Sequence, residues 1–182
     1  MGEIKSTLDL VMEKTKHLTL SDEEKLVQRR AEVEKKIYGL VQKYQDNLVA
    51  KTYLEKEMGV FRKTYDVNVD DILKQTLLQN LKLESNNEPS LELLRDICGV
   101  DISGFERLFQ NFFYQAERAA TDRTKTIKQD LARKHSISGD AVIPNLEADH
   151  EWLSTLYKTK VKFDEILNKE KGRLDLSEPK MF

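Results

Sequence analysis

Apolar residues recur along most of this chain at the alternating three- and four-residue spacing of amphipathic helices. The longest stretches with this spacing are residues 22–58, 104–134 and 145–173. A shorter series precedes them at Ile4, Leu8, Val11 and Leu18. Because a short connection between long helices favours antiparallel neighbours, the pattern predicts an elongated, all-α bundle of antiparallel long helices.

Turn-forming residues divide this pattern into three parts. The clearest loop is SNNEPS, from Ser85 to Ser90, since Ser, Asn and Pro favour turns. It separates N-terminal helices in residues 1–84 from a loop and short helix in 85–103 and a long, coiled-coil-like helical hairpin in 104–182. Short helices within 68–99 form a smaller cluster. We expect the three parts to form one continuous helical domain.

The starts of three helices carry capping signatures. Ser21 with Glu24, and Ser103 with Glu106, match the capping box, in which each side chain accepts a hydrogen bond from the other residue's backbone amide. Asn145 is a good N-cap for the last long helix. These residues predict where the long helices begin.

The helix after Ser21 carries an apolar seam of nearly heptad spacing. Arg30 occupies the one position in this seam that should be apolar, and Gly59 is expected to end or bend the helix. An arginine at such a position can fix register or contact a partner, or its guanidinium can extend out of the seam into water. We favour the last interpretation. The seam comprises Leu26, Val33, Ile37, Leu40, Tyr44 and Leu48.

The connection between the last two long helices contains an apolar run, Ala141, Val142 and Ile143, inside a turn-forming segment. Gly139 permits a positive φ, and Pro144 favours an extended conformation for the residue before it, so the run is predicted to be extended across the hairpin tip. It can fold back as an internal plug on Leu131, Leu146 or the N-terminal helices, or it can contact a second chain. Loop apolar residues more often cover their own core, which favours the plug.

Composition narrows the class of protein. Of 182 residues, 39% are hydrophobic and 34% charged, with 7 Gly and 3 Pro, which argues against a disordered chain or a β-sandwich. No apolar run approaches the ~20 residues of a membrane span. The single cysteine, Cys98, lies among apolar neighbours before Gly99 and is expected to be buried, in a chain compatible with a reducing compartment. We therefore expect a cytoplasmic protein without a transmembrane segment.

Residues capable of catalysis or metal binding are sparse. Glu147 and His150 have the Glu-x-x-His spacing that supplies two ligands in helical di-iron proteins, but a second such pair is missing. No nucleophile motif or glycine-rich phosphate loop is present. The sequence predicts no enzyme and no cofactor, and leaves a metal site at Glu147 and His150 as a weak alternative.

A basic stripe lies on the helix of residues 104–134. Local Lys and Arg residues can contact phosphates, although the formal net charge of the whole chain is −2. Charged helix faces are usually only solvated. The stripe, a candidate nucleic-acid surface, comprises Arg118, Arg123, Lys125, Lys128, Arg133 and Lys134.

These observations lead to one expectation and two alternatives for function. We expect a non-enzymatic, cytoplasmic interaction or scaffold protein that associates with itself, as a homo-oligomer, or with another protein through helical surfaces. Its interface would include Ala141 to Ile143, and Arg30 on the N-terminal seam. The alternatives are a nucleic-acid- or ribosome-associated helical factor and a metal-binding helical protein.

Overall fold

A computed structural model describes residues 21–175 of the chain. The described part contains α-helices and one 3₁₀ turn and has no strand, which confirms the all-α prediction. The predicted helix through Ile4, Leu8, Val11 and Leu18 lies outside the described residues. None of the described helices is both long enough and apolar enough to cross a membrane. The helices are α1 (Asp22–Gln45), α2 (Lys51–Thr64), α3 (Val69–Asn80), α4 (Glu88–Asp96), α5 (Ser103–His135) and α6 (His150–Asp175), with the 3₁₀ turn at Leu146–Ala148.

Residue contacts divide the chain into two compact units, one through Thr76 and one from Leu77 onward. The division falls within α3. In the first unit α1 packs against α2, and Lys36 of α1 bonds both Glu32 and the hydroxyl of Tyr65, which follows α2. The buried apolar residues of this unit are Val33, Ile37, Leu40, Val41, Leu54, Met58, Val69, Ile72 and Leu73.

The prediction of a single helix over residues 22–58 is wrong, because α1 ends at Gln45 and α2 starts at Lys51. Asn47 adopts a left-handed φ of 57°, and the Asn47 and Leu48 amides donate to the carbonyls of Tyr44 and Lys43. This pattern is a Schellman motif with asparagine at the position glycine usually fills. Gly59, the expected helix end, lies inside α2.

The predicted seam of α1 is buried only in its middle. Every described residue from Ser21 to Glu32 is exposed, and Leu26 and Leu48, at the two ends of the seam, are exposed as well. Arg30 is half-exposed and donates to Glu34 and to the side chain of Gln75 on α3. Its guanidinium therefore lies outside the apolar seam, where it contacts side chains of its own helix and of α3 and not water alone.

The second unit is organised around α5 and α6, which run antiparallel. Phe112 of α5 meets Phe163 of α6 edge-to-face at 5.6 Å between ring centroids, while Arg123, further along α5, bonds Asp149, which lies before α6. Lys171 of α6 donates from Nζ to the carbonyl of Leu81 at 2.8 Å. The buried residues of these two helices are confined to one end of the pair and are Phe105, Leu108, Phe109, Phe112, Phe163 and Leu167.

The capping predictions had mixed outcomes. Ser21 and Glu24 form the predicted capping box. The box at Ser103 is wrong, because the Ser103 amide donates to the Asp101 carboxylate and helix α5 already includes Ser103. Asn145 accepts from the Glu147 amide and so caps the 3₁₀ turn, and α6 begins five residues later, at His150.

Two further predictions from the sequence need correction around the SNNEPS loop. Helix α4 begins at Glu88, with Pro89 in its first turn, so the loop ends earlier than expected and Ser90 is buried. Cys98, expected to be buried, is partly exposed. Gly99 has a φ of +64° and follows the end of α4.

Removing the Phe163 ring from the Phe112–Phe163 pair should show how much this pair contributes to the stability of the second unit. We expect Phe163→Ala to lower the free energy of unfolding by about 3–5 kcal/mol, because it removes a buried ring and leaves a cavity beside Phe112. Tyr157→Ala, on the same helix but exposed, should cost less than about 1 kcal/mol. Urea denaturation followed by circular dichroism measures both, and equal losses would contradict this packing.

Candidate functional site

The hairpin tip, defined here as residues 136–149, joins α5 to α6. Ser136 ends α5 in a left-handed conformation with φ 56°, and Gly139 has the predicted positive φ, at 126°. The Val142 amide donates to the Gly139 carbonyl and closes a turn that includes Ala141. The prediction of an extended run is therefore wrong for Ala141, because this residue is part of the turn.

The apolar residues of the tip face solvent to different extents. Ile143 is 88% exposed and Ile137 is 48% exposed, whereas Val142 is half-buried. The plug interpretation is therefore wrong for Ile143 with respect to Leu131 and Leu146, since neither covers its side chain. A plug on the N-terminal helices, the first of which lies outside the described residues, stays a prediction.

An ion-pair cluster holds the base of the tip together. The Arg123 guanidinium donates two hydrogen bonds to Asp149, at 2.9 and 2.8 Å, and lies 2.6 Å from a carboxylate oxygen of Glu151. Asp149 also accepts from the Trp152 amide at 2.7 Å, so the same carboxylate caps α6. Only 21% of the Arg123 side chain and 18% of the Asp149 side chain are exposed, which limits screening by salt.

This cluster perturbs the titration of its members. The hydrogen bonds from Arg123, and then the one from the Trp152 amide, lower the pKa of Asp149 from its ordinary value of 3.8. In return, the hydrogen bond to Asp149 raises the pKa of Arg123. The cluster therefore stabilises the connection at the level of α5 where large buried side chains are no longer found.

The predicted nucleic-acid stripe does not present six equivalent cations. Arg123 is engaged by Asp149, and Arg133 and Lys134 both lie near Asp130, at 3.0 and 3.7 Å. Phosphate binding would have to compete with these internal partners. Arg118 and Lys125 are exposed, and Lys128 is half-buried. A nucleic-acid surface on this face remains a prediction.

Glu147 and His150 lack the geometry of a metal site on one helix face. Glu147 lies in the 3₁₀ turn and His150 is the first residue of α6, so the two do not lie on one continuous helix. Across residues 21–175, no group of three or more His, Cys, Asp or Glu side chains is arranged to hold a metal ion.

A groove of about 570 Å³ lies in the second unit, between the loop before α4, helix α4 and the first turns of α5. Its apolar lining includes Leu91, Ile102, Phe109 and Phe113. Phe113 is 54% exposed although it follows the buried Phe112. No pattern recognised in the sequence predicted this groove. The signal was Phe113, a large aromatic residue off the predicted apolar face of its helix.

Acidic residues line the same groove. Glu88, Glu92 and Glu106 are among its lining residues, with Arg95 as the one basic residue there. Arg95 is paired at 2.8 Å with the neighbouring Asp96. Its pKa is raised first by Asp96 and to a smaller extent by Glu106 and Glu92, which is the effect of a locally negative environment. The groove therefore combines apolar walls with surplus negative charge.

The described residues define an all-α protein with an antiparallel helical pair, an exposed tip and an acidic, apolar groove. Comparison of the chain with known protein families, with curated proteins and with solved structures finds no match. Any functional assignment must therefore come from the chemistry of these surfaces.

The ion-pair cluster generates a pH-dependent prediction. Because the folded-state pKa of Asp149 lies below its ordinary 3.8, the ionised carboxylate stabilises the folded chain above that pH, and this contribution is lost as the pH falls through the folded-state pKa. Asp149→Asn keeps a capping side chain for Trp152 but removes the charge. We expect the stability difference between wild type and variant to be greatest near pH 7 and to shrink below pH ~4.

Denaturant titrations at a series of pH values provide the measurement for this prediction. Glu147→Asn, an exposed carboxylate of the same tip, is the matched control and should show little change. A stability gap for Asp149→Asn that stays constant from pH 7 to the lowest usable pH would show that the ion pair contributes nothing.

Because Ile143 is exposed, a charged residue in its place should have little effect on the stability of the folded chain. We expect Ile143→Asp to change the free energy of unfolding by no more than about 0.5 kcal/mol, because the side chain already lies in solvent. Urea denaturation of the purified chain is the measurement. A loss of several kcal/mol would instead support an internal plug formed with residues outside those described.

Proposed function

We propose that this chain is a non-enzymatic, cytoplasmic protein–protein interaction or scaffold protein whose hairpin tip is its principal contact element. The observation that carries the proposal is the 88% exposure of Ile143 on a tip whose base is held by the Arg123–Asp149 pair. A partner that covered this side chain would remove its apolar surface from water, which favours association.

The energetics of the tip support this assignment. Burying an isoleucine side chain in an interface contributes about 1.5–3 kcal/mol. The Gly139–Val142 turn and the ion pairs at the base fix the backbone before any partner binds. A preorganised loop loses less conformational entropy on binding than a flexible one, so more of the burial energy is available for affinity.

We further propose that α5 and α6 form a coiled-coil-like hairpin that self-associates. The spacing of the covered positions on α6 supports the first part, because steps of four and three residues dominate, as in a heptad seam. Self-association is supported by exposed apolar side chains on the same helix, Leu153, Tyr157 and Val161, which recur every four residues. The covered positions are Trp152, Leu156, Thr159, Lys160, Phe163, Leu167, Glu170, Lys171 and Leu174.

Site-specific photocrosslinking tests the proposed function directly. A benzophenone amino acid in place of Ile143 should give a discrete covalent protein adduct, in cells that naturally produce the chain or with the purified chain at micromolar concentration. The same amino acid in place of Lys63, exposed on α2 in the first unit, is the control and should give none. Absence of a discrete adduct from position 143 in both settings would rule out the tip as a contact element.

A further inference from the structure

The end of α5 and the first residues of the tip are exposed without interruption. Every residue from Ala132 to Ala141 is exposed. Arg133 and Lys134, in the last turn of the helix, have side chains that are 75% and 58% exposed. Ser136 follows them after one intervening residue and is exposed as well. A serine hydroxyl is therefore accessible a short distance along the chain from two accessible cations.

This order of residues is the pattern by which many protein kinases recognise a substrate. Acidic side chains in the substrate cleft of such a kinase bind Arg or Lys residues three and two positions before the reacting hydroxyl. Ser136 is the one serine or threonine of the sequence with Lys or Arg at both positions. Thr121 and Thr126 have an arginine at the third position before them, but no basic residue at the second.

Secondary structure separates Ser136 from these two threonines. Both threonines lie inside α5, and the Thr126 hydroxyl donates to the carbonyl of Asp122 at 3.0 Å. Thr126 is about two and a half turns from the end of the helix. A kinase cleft binds its substrate segment in an extended conformation, so phosphorylation of either threonine would require several residues of α5 to unfold. Ser136 is instead the residue at which α5 ends.

The last turn of α5 can open at low cost. Ser136 has a left-handed φ of 56°, which is unfavourable for a residue other than glycine, and this strain is released when the segment becomes extended. Arg133 and Lys134 pair with Asp130 on the surface, and exposed ion pairs of this kind contribute little to stability. Helix ends also open locally with a smaller free energy than the packed core.

We propose that Ser136 is a phosphorylation site for a protein kinase that selects basic substrates. In this reaction the Ser136 hydroxyl oxygen forms a bond to the γ-phosphorus of magnesium-bound ATP. The bond from that phosphorus to the oxygen bridging the β- and γ-phosphates breaks, ADP leaves, and the hydroxyl proton passes to a carboxylate of the kinase. Arg133 and Lys134 exchange Asp130 for the acidic side chains of the kinase. This assignment goes beyond the proposed function and does not depend on it.

Phosphorylation at this position would change the charge of the tip substantially. Residues 136–149 include Asp140, Glu147 and Asp149 and contain no Lys or Arg. A phosphoserine adds a charge of about −1.5 to −2 at neutral pH. The modified residue would also lie at the C-terminal end of α5, where the helix dipole disfavours negative charge. Phosphorylation would therefore make the end of the helical pair strongly acidic.

A kinase assay on the purified full-length chain is the first test. The catalytic subunit of cyclic-AMP-dependent protein kinase, with magnesium and ATP, should add one phosphoryl group, which peptide mass spectrometry should locate on Ser136. Ser136→Gly removes the hydroxyl, while glycine accepts the left-handed φ, so this variant should fold and take up no phosphate. Ser138→Ala, an exposed serine two residues further on, is the matched control and should be phosphorylated like wild type.

The dependence on the basic residues distinguishes recognition from mere accessibility. Arg133→Ala should lower kcat/KM for phosphorylation of the chain about tenfold or more, because it removes a charge-assisted contact with the kinase. Arg118→Ala removes the exposed arginine three residues before Thr121 and should leave kcat/KM unchanged. Circular dichroism checks that both variants are folded. Equal rates for wild type and Arg133→Ala would overturn the proposed recognition.

The chain isolated from cells that naturally produce it provides the second test. With phosphatases inhibited during isolation, mass spectrometry should detect phosphate on Ser136. A chain that is unmodified at Ser136 in those cells, or that the kinase modifies only at Thr121 or Thr126, would overturn the assignment. Crosslinking from position 143 is independent of these results, so the proposed function and the phosphorylation site can fail separately.

Discussion

Two helices packed side by side cannot fully bury an apolar seam, because each covers the other from one direction only. This constraint governs the second unit. Between Phe105 and Phe112 the large apolar side chains of α5 are buried, and Phe112 meets Phe163 across the pair. Beyond Phe112 no residue of α5 is buried, and its partly covered residues include alanines, Arg123, Ile127 and Leu131. The Arg123–Asp149 contact therefore adds a polar link where apolar burial is only partial.

The Arg123–Asp149 pair joins α5 to the start of α6, and the same Asp149 carboxylate also caps α6. A charge-assisted, two-point contact fixes direction as well as distance, which apolar contacts do not. The tip can then expose Ile143 without losing its shape. At the other end of α5, the same helix contributes Phe109 and Phe113 to the groove. One helix thus lines the groove near its start and leads into the tip at its end.

Local signals in the sequence predicted much of the secondary structure, and their failures have physical causes. Ser21 with Glu24, and Gly139, behave as predicted because a cap or a positive φ depends on a few adjacent residues. Ser103 failed because Asp101 accepts the amide that its capping box required. The break after α1 was missed because Asn47 takes a left-handed conformation for which glycine is the commoner residue.

The sequence by itself determined the all-α class, most helix positions and the hairpin turn, because periodicity, capping and turn chemistry act over a few residues. Only the tertiary structure decided that Ile143 faces solvent, that Arg123 forms an ion pair with Asp149, and that Phe113 borders a groove. Each of these facts depends on residues distant in the sequence: Arg123 and Asp149 are brought together by the hairpin, and the groove forms where α4 and its preceding loop meet α5. Such juxtapositions are set by packing, which no local pattern encodes.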